Sequence, residues 1–580
     1  MQFKQTFVRL FFLFVPYTVL AQTTFFPQGA RENHLADRLE IKSRIDSILN
    51  FSKIKPYSRK AVIPILQQYR NSAALVQSAG EMPVTEDAAQ QRINETGARL
   101  TKVDLYNANI ALMNSLEWTD SSYNFTSRKP IGRFYKTPAT LFEVKTPDFF
   151  LAVNPVFHYI IAKEKNNSQH LFLNTRGVSL RGRIMNKIGF AAYLTDNQER
   201  DPLYVQEWVR ERLAVPGTGF YQQFKTTGYD YFDARGYISF NAAKVVDITF
   251  GYDRNFIGNG YRSLFLSDFT NSYLFLKLNT RIWKLNYQNL FMELHTTRRT
   301  PADVYIPKKY AALHHLDVAF TKWLNVGVFE GVIFGRKDHF DFGYLNPVIF
   351  YRSIEQQNGS FDNSIACIDS KANVANHFQL YSQFLLDEFK LAEIRRNRGW
   401  WANKWGLQFG AKYINAFGIP NLDVQIETNR VRPFTYSHRD SVANYTHYNQ
   451  PLAHPLGANF NEWIGIARYQ PAPKWLLQIK GIYYKQGKDI GNVSYGSNIL
   501  LPNIGPYRTK EYGYEIGAGV PVKTGLASFL LSYELRPNLF LESNLLIRRQ
   551  SSNYVSAAPQ NTSVFSVGVR WNTFRREFDF

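Results

Sequence analysis

Two hydrophobic periods divide the chain. From Arg31 to about Trp118 helix-forming residues dominate, with Leu35, Leu39 and Ile45 at helical spacing and Ile93, Leu100, Leu105 and Leu112 as a second apolar stripe. Pro56 and Pro64 break the pattern, and Thr85 ahead of Glu86 and Asp87 reads as an N-cap with acidic first-turn residues. A small bundle of short helices is expected. After about Leu141 the period becomes 2. Trp405, Leu407, Phe409, Ala411 and Tyr413 alternate with Gly406, Gln408, Gly410 and Lys412. Tyr512, Tyr514, Ile516, Ala518 and Val520 alternate with Glu511, Gly513, Glu515, Gly517 and Gly519. Leu274, Leu276, Leu278 and Ile282 oppose Lys277, Asn279 and Arg281. Runs of roughly 10 residues exceed the 5 to 6 of an ordinary soluble strand and suit a tilted strand that crosses a bilayer. The predicted fold is therefore mainly β: a large antiparallel transmembrane β-barrel of about 16 to 18 strands, closed so that no edge meets lipid. It occupies residues 141–580, behind a periplasmic α-helical bundle over residues 22–140.

The final strand adds a second signal. Phe565, Val567, Val569 and Trp571 alternate with Ser566, Gly568, Arg570 and Asn572, and Phe574 closes the run ahead of Phe578 and Phe580. A glycine-centred, aromatic-ended last strand resembles the insertion signal of outer-membrane barrels. Residues 417–421, 470–474 and 536–538 read as short periplasmic turns, and 395–404, 437–459 and 487–509 as long outer loops. With a further outer loop after Arg549, the 487–509 stretch falls on the periplasmic side unless it hides another strand.

The first residues set the compartment. Lys4 and Arg9 flank an apolar run from Leu10 to Leu20 that closes in Val19-Leu20-Ala21, so residues 1–21 read as a signal peptide cleaved after Ala21. The run is too short to span a membrane as a helix, and no cysteine follows the cleavage point to carry a lipid anchor. The expected location is the outer membrane of a Gram-negative bacterium, in contact with its lipid and lipopolysaccharide. Lys+Arg number 68 against Asp+Glu 47, a net charge of +21, with 16% aromatic residues. One cysteine, Cys367, excludes an intramolecular disulfide framework and any multi-cysteine metal site.

Candidate chemistry is sparse. Gly258-Asn-Gly260 superficially resembles a phosphate-binding glycine loop, but the sixth position is Ser263 and strands follow where a helix is needed, so it reads as a tight turn. His314 and His315 point to opposite faces of one strand and cannot easily share an ion; adjacent Asp387 and Glu388 fail as a catalytic pair for the same reason. No catalytic residue, metal or cofactor is assigned, no nucleic-acid partner is expected, and the chain reads as a non-enzyme. Lys277, Arg281, Lys412, Lys480, Arg548 and Arg570 fall on the polar side of predicted strands. They form a basic lumen that either draws polyanions or pairs with lumen carboxylates. Trp400, Trp401, Tyr445, His447, Tyr448, Tyr495 and Tyr507 lie in the long loops, as rings to stack on sugars or as an interfacial girdle.

A resemblance sharpens this. The stretch from Gly251 through Tyr252, Asp253, Arg254, Asn255, Phe256, Ile257, Gly258, Asn259, Gly260, Tyr261, Arg262 and Ser263 to Asp268 is its first carrier. With His314-His315-Leu316-Asp317, Gly327 to Glu330, Tyr344 to Pro347 and Leu386 to Phe389, it resembles the Wzi capsule-assembly family, and within it the RemB-like branch associated with gliding motility. The resemblance implies a helical bundle that closes the periplasmic mouth of a large barrel, and an outer face that holds capsular polysaccharide as a lectin. Two other functions fit the residues: a motility- or secretion-associated component that contacts periplasmic envelope proteins through the bundle, and an anion-selective diffusion porin.

Overall fold

A computed structural model describes residues 24–43, 48–79, 99–120, 122–127, 135, 137–296, 306–337, 339–348, 350–359, 362–491, 493–552 and 561–580. The signal peptide, the Thr85 cap, Ile45 and Ile93 lie outside the described residues. Eighteen antiparallel strands close into one barrel. They are β1 (Phe149–Glu164), β2 (Leu171–Ile184), β3 (Ile188–Arg200), β4 (Gly228–Ala242), β5 (Val246–Asp253), β6 (Tyr273–Ile282), β7 (Leu285–His295), β8 (Lys308–Ala319) and β9 (Leu324–Phe334). The wall continues through β10 (Asn363–Val374), β11 (Phe378–Glu388), β12 (Lys404–Tyr413), β13 (Leu422–Val431), β14 (Phe460–Tyr469), β15 (Trp475–Lys488), β16 (Val520–Arg536), β17 (Leu539–Ser552) and β18 (Asn561–Trp571). β18 pairs with β1 from Val564 opposite Glu164 to Trp571 opposite Phe157, and below that seam the short strand Phe142–Lys145 continues along β1. Alternation produces the wall directly: in β12, Phe409 is exposed on the outside while Lys404 and Gln408 are buried in the lumen.

The 487–509 expectation is corrected. Residues 511–519 are not a strand, because Gly513, Gly517 and Gly519 take φ of +87°, +91° and +93°, in which the chain turns. One strand, β16, then connects this region to the turn at 537–538, so residues 489–519 are a single outer loop. The turns at 414–421, 470–474 and 537–538 all lie at the opposite mouth, with the helices.

Among the described residues, three helices occupy that mouth: α1 (Arg31–Ser43), α2 (Arg59–Ala79) and α3 (Lys102–Met113). They share a core of Phe26, Leu35, Leu39, Ile63, Leu66 and Leu112. Pro64 lies inside α2, where it costs one backbone hydrogen bond, and buried Val62, Ile63 and Leu66 hold the helix across it. Thr101 caps α3: its hydroxyl accepts from the Asp104 backbone N–H at 3.1 Å while Asp104 accepts from the Thr101 N–H at 3.0 Å. The bundle docks on the rim turns through Arg31 to Glu534 (2.5 Å), His34 to Asp423 (2.8 Å), Thr101 to Asn421 (2.6 Å) and Asn107 to Gln470 (3.0 Å).

Among the described residues, four segments enter the lumen. From below, residues 48–57 carry Lys53, 1% exposed, to Asp317 of β8 (2.9 Å) and Asp369 of β10. Ile54 and Lys55 pair antiparallel with Ile257 and Phe256 of the outer loop 254–272, which folds inward. A second inward loop, 432–459, binds the first: Tyr436 and Tyr445 hydroxyls donate to the Leu264 and Phe265 carbonyls at 2.8 and 2.7 Å. Residues 572–580 turn back up the lumen. Phe574 therefore does not continue β18 but packs on Tyr193 (5.8 Å), and Phe580 reaches Trp208 (5.5 Å) in the helix Leu203–Arg212 of an outer loop.

One outer loop folds the other way. Residues 335–359 lie against the outside of β7 to β9, where Tyr344 and Tyr351 bury Phe291, Tyr310 and Phe334. His314 and Glu330, on the outward face of β8 and β9, bond at 2.9 Å beneath this cover, and Glu330 accepts from the Tyr351 N–H at 3.0 Å. His315 points into the lumen, 2.6 Å from Asp369.

Candidate functional site

The candidate site is the outer rim above β11 to β16, where the loops 389–403 and 489–519 join. Backbone bonds zip them: Gly513 N–H to Arg398 O and Tyr514 N–H to Gly399 O, both 3.0 Å, and Trp401 N–H to Glu511 O at 3.2 Å. Trp400 and Trp401 sit side by side, ring centroids 6.2 Å apart. The Trp401 indole Nε1–H donates to Glu511 Oε2 (2.9 Å), and the Arg508 guanidinium lies 4.1 Å over the same ring. Arg508 also bonds Glu511 at 2.6 Å, which holds that carboxyl below its usual range. Arg398 lies 4.7 Å over Tyr512, and Phe434 braces Trp401 from below at 6.0 Å. Rigid half-buried rings edged by planar cations and carboxylates give flat apolar faces beside hydrogen-bonding groups, the combination that recognises a sugar's CH face and hydroxyl rim.

The expected loop rings divide between two places. Trp400, Trp401, Tyr495 and Tyr507 are partly exposed at this rim; Tyr495 meets Tyr514 at 6.2 Å and Tyr507 O accepts from the Ser494 N–H at 2.8 Å. Tyr445 and His447, each 1% exposed, are buried instead in the inward loop, and this corrects their placement as surface rings. His447 accepts from the His295 N–H at 3.0 Å, and burial drives its pKa well below the usual histidine value, so it is a neutral packing residue. Tyr448 stacks on His295 at 4.5 Å, away from the tryptophans. Glu511 and Tyr512 escaped sequence reasoning because 511–520 imitates a strand, with clustered glycines at alternate positions the available sign of a loop; Arg398 and Arg508 lie in stretches read as outer loops, where only the rings stood out.

The basic lumen residues all face inward, and most meet carboxylates or carbonyls. Lys412 pairs with Asp37 (2.6 Å), Lys480 with Asp579 (2.8 Å) and Glu577, and Arg570 with Glu542 (2.8 Å). Lys277 donates to Asn255 (3.0 Å), Arg281 covers the Phe51 ring at 4.4 Å, and Arg548 donates to Gln550 (2.7 Å). Lys277, Arg281 and Lys480 thus hold filling segments to the wall and Lys412 holds helix α1, while Arg570 and Arg548 also donate to the Thr573 carbonyl (2.6 Å) and to Phe580 O (3.4 Å) of the returning C-terminal residues. The Gly258 to Gly260 run is part of the inward loop: Gly258 N–H donates to Lys53 O at 2.7 Å.

The family model described as capsule assembly protein Wzi matches residues 190–545, more than half of the chain. The chain belongs to the Wzi capsule-assembly family. Among solved structures, this Wzi-family barrel is similar to Escherichia coli Wzi, described as an outer membrane protein involved in group 1 capsule assembly and a carbohydrate-binding β-barrel. That match has 12% identity and a TM-score of 0.52, covering 95% of this chain and all of the other. Pseudomonas aeruginosa OprD (12% identity, TM-score 0.40, 73% of this chain and 94% of the other) and Acinetobacter baumannii OccAB2 (11%, 0.40, 73% and 97%) are more distant. No curated protein matches this sequence. The Wzi-family chain is thus an outer-membrane barrel of capsule assembly.

Proposed function

We propose that the protein is a non-enzymatic lectin of the outer membrane that holds surface or capsular polysaccharide on the Trp400–Trp401 rim. The observation that carries the reading is the conjunction of a lumen closed beneath its outer mouth by the inward loops with a preorganised aromatic and charged platform outside. A barrel closed at that mouth has little to conduct, so the platform is the part exposed for recognition. E. coli Wzi, a carbohydrate-binding β-barrel, supports the ligand class. The precursor is exported by cleavage after Ala21, and the outer wall contacts lipid and lipopolysaccharide. Purified protein in detergent, immobilised and challenged at low salt with capsule from its own strain, retains the polymer under this reading. No retention would refute it. Steady anion-selective current in planar bilayers would favour the porin, and a periplasmic protein crosslinked to the bundle would favour the motility or secretion component.

A further inference from the structure

Below the outer loops the lumen keeps a chamber of about 720 Å³. That lies within the ~300 to 1,000 Å³ of pockets that hold drug-sized ligands, or a short oligosaccharide. Its floor reaches the periplasmic rim at Lys474, Trp475 and Asn538, and its roof is the underside of the outer loops at Gly217 and Phe269. Eleven arginines and three lysines line it against eight carboxylates, counted among the described residues.

Most of these cations are already paired, but Lys55, Arg59, Arg254, Arg468 and Lys474 form no carboxylate ion pair among the described residues; Lys55 lies instead over the Tyr57 and Phe256 rings at 5.8 and 5.4 Å. Arg59 donates only to the Phe25 and Asn114 carbonyls and the Ser115 hydroxyl. Arg254 donates to the Gly217 and Asp268 carbonyls and leaves its buried Nε unbonded. Arg468 donates to Gln478 at 2.9 Å. Its cross-strand neighbour Asp423 is taken by Arg38 and His34. Burial and the like charge of Arg181 push Arg59 down to about 10 against the pull of Glu117 and Glu32, and burial with Arg235 outweighs Asp233, Asp268 and Asp253 to do the same to Arg254. Guanidinium groups left short of counter-charge around one cavity favour an anion that supplies it. Trp475, Phe540 and Tyr193 add ring faces to the same lining.

We infer that this chamber is a second binding site, entered from the periplasm, for a multiply carboxylated oligosaccharide segment. The site is separate from the outer platform, and neither depends on the other. The probe is tetragalacturonate, titrated calorimetrically into purified protein in detergent, beside neutral maltotetraose and inorganic pyrophosphate. Saturable binding of the acidic tetramer is expected, with none of the neutral one, weakening as salt rises. Arg254→Gln and Arg468→Gln each weaken it at least tenfold. Because both are partly buried, the exposed rim carries a second test. Lys474→Cys capped with a bulky maleimide abolishes binding, whereas Lys187→Cys, capped on an exposed turn of the same mouth outside the chamber, leaves it unchanged; Cys367 is buried and does not react. Absence of tetramer binding, equal binding of maltotetraose, or binding that survives the Lys474 cap would overturn the proposal. Binding of pyrophosphate in place of the tetramer would overturn the glycan assignment and identify a phosphate site.

Discussion

Replacing Lys53 with methionine tests how the barrel is filled. Lys53 is 1% exposed; its Nζ lies 2.9 Å from Asp317 and also pairs with Asp369, which His315 meets at 2.6 Å. Burial alone would lower the Lys53 pKa, but the two carboxylates override it and keep the lysine charged. Lys53→Met keeps the apolar stem and leaves both carboxylates buried, with His315 and Asn325 as their remaining bonded side chains among the described residues. Breaking a buried pair from one side costs about 3 to 5 kcal/mol. That shifts the equilibrium between docked and withdrawn segment by roughly a hundredfold to a few thousandfold. Neighbouring ties, Glu40 to Lys371 and Arg31 to Glu534, remain, so the barrel stays folded while residues 48–57 loosen. Single-protein recordings in planar bilayers then show brief openings in Lys53→Met where the parent is silent. The triple variant Lys53→Met/Asp317→Asn/Asp369→Asn recovers much of the silence, because no uncompensated charge remains. A silent Lys53→Met protein with the parent's urea midpoint would refute the reasoning.

Three further outcomes follow from the same structure. Trp401→Ala removes the ring that Arg508 and Glu511 orient and weakens polysaccharide retention about tenfold, a typical loss for an anchoring aromatic, with the melting temperature unchanged; equal retention would remove the platform from the account. Asp579→Asn strips Lys480 and Arg262 of a shared partner, and a fall in stability of about 3 kcal/mol is expected in urea titration, against none if residues 572–580 are loosely held. Acid loosens the bundle, within itself at Asp104 and from the wall at Asp37. Burial would raise Asp104 and Asp37, but Arg38 with Lys42, and Lys412 with Lys55, hold them well below the ordinary carboxylate value. A depressed folded pKa gives stability that is complete above the unfolded value of about 4 and lost as the pH falls toward the folded one. Fluorescence of Trp118, packed on the bundle core, therefore changes below pH ~4 and is flat from there to neutrality.

The wall was legible because alternation is a physical requirement of a strand with lipid on one side. β6, β12 and β18 coincide with the patterned runs at 274–282, 405–413 and 565–571. What fills the wall was not, since the inward loops 254–272 and 432–459 and residues 572–580 have no period; they are held by individual bonds such as Tyr261 N–H to Glu427 (2.6 Å) and Arg262 to Asp579 (3.1 Å). Residues 511–519 misled because glycines at alternate positions satisfy a strand pattern while adopting left-handed turns. The loop on the outer wall left one trace. His314 and Glu330 are polar at positions whose parity faces lipid, which only a covering segment makes tolerable. The outer rim was half legible: its tryptophans stand out in the sequence, but their partners Arg508 and Glu511 lie more than a hundred residues away.

Retention of polymer on cells tests the central claim most directly. Cell-bound and released surface polysaccharide would be measured in the parent, in a clean deletion, and in the deletion restored with the parent gene or with Trp400→Ala/Trp401→Ala. The account predicts that total synthesis is unchanged, that polymer moves from cells to medium in the deletion, and that only the parent gene restores it. Unchanged retention in the deletion, or full restoration by the double variant, would contradict it.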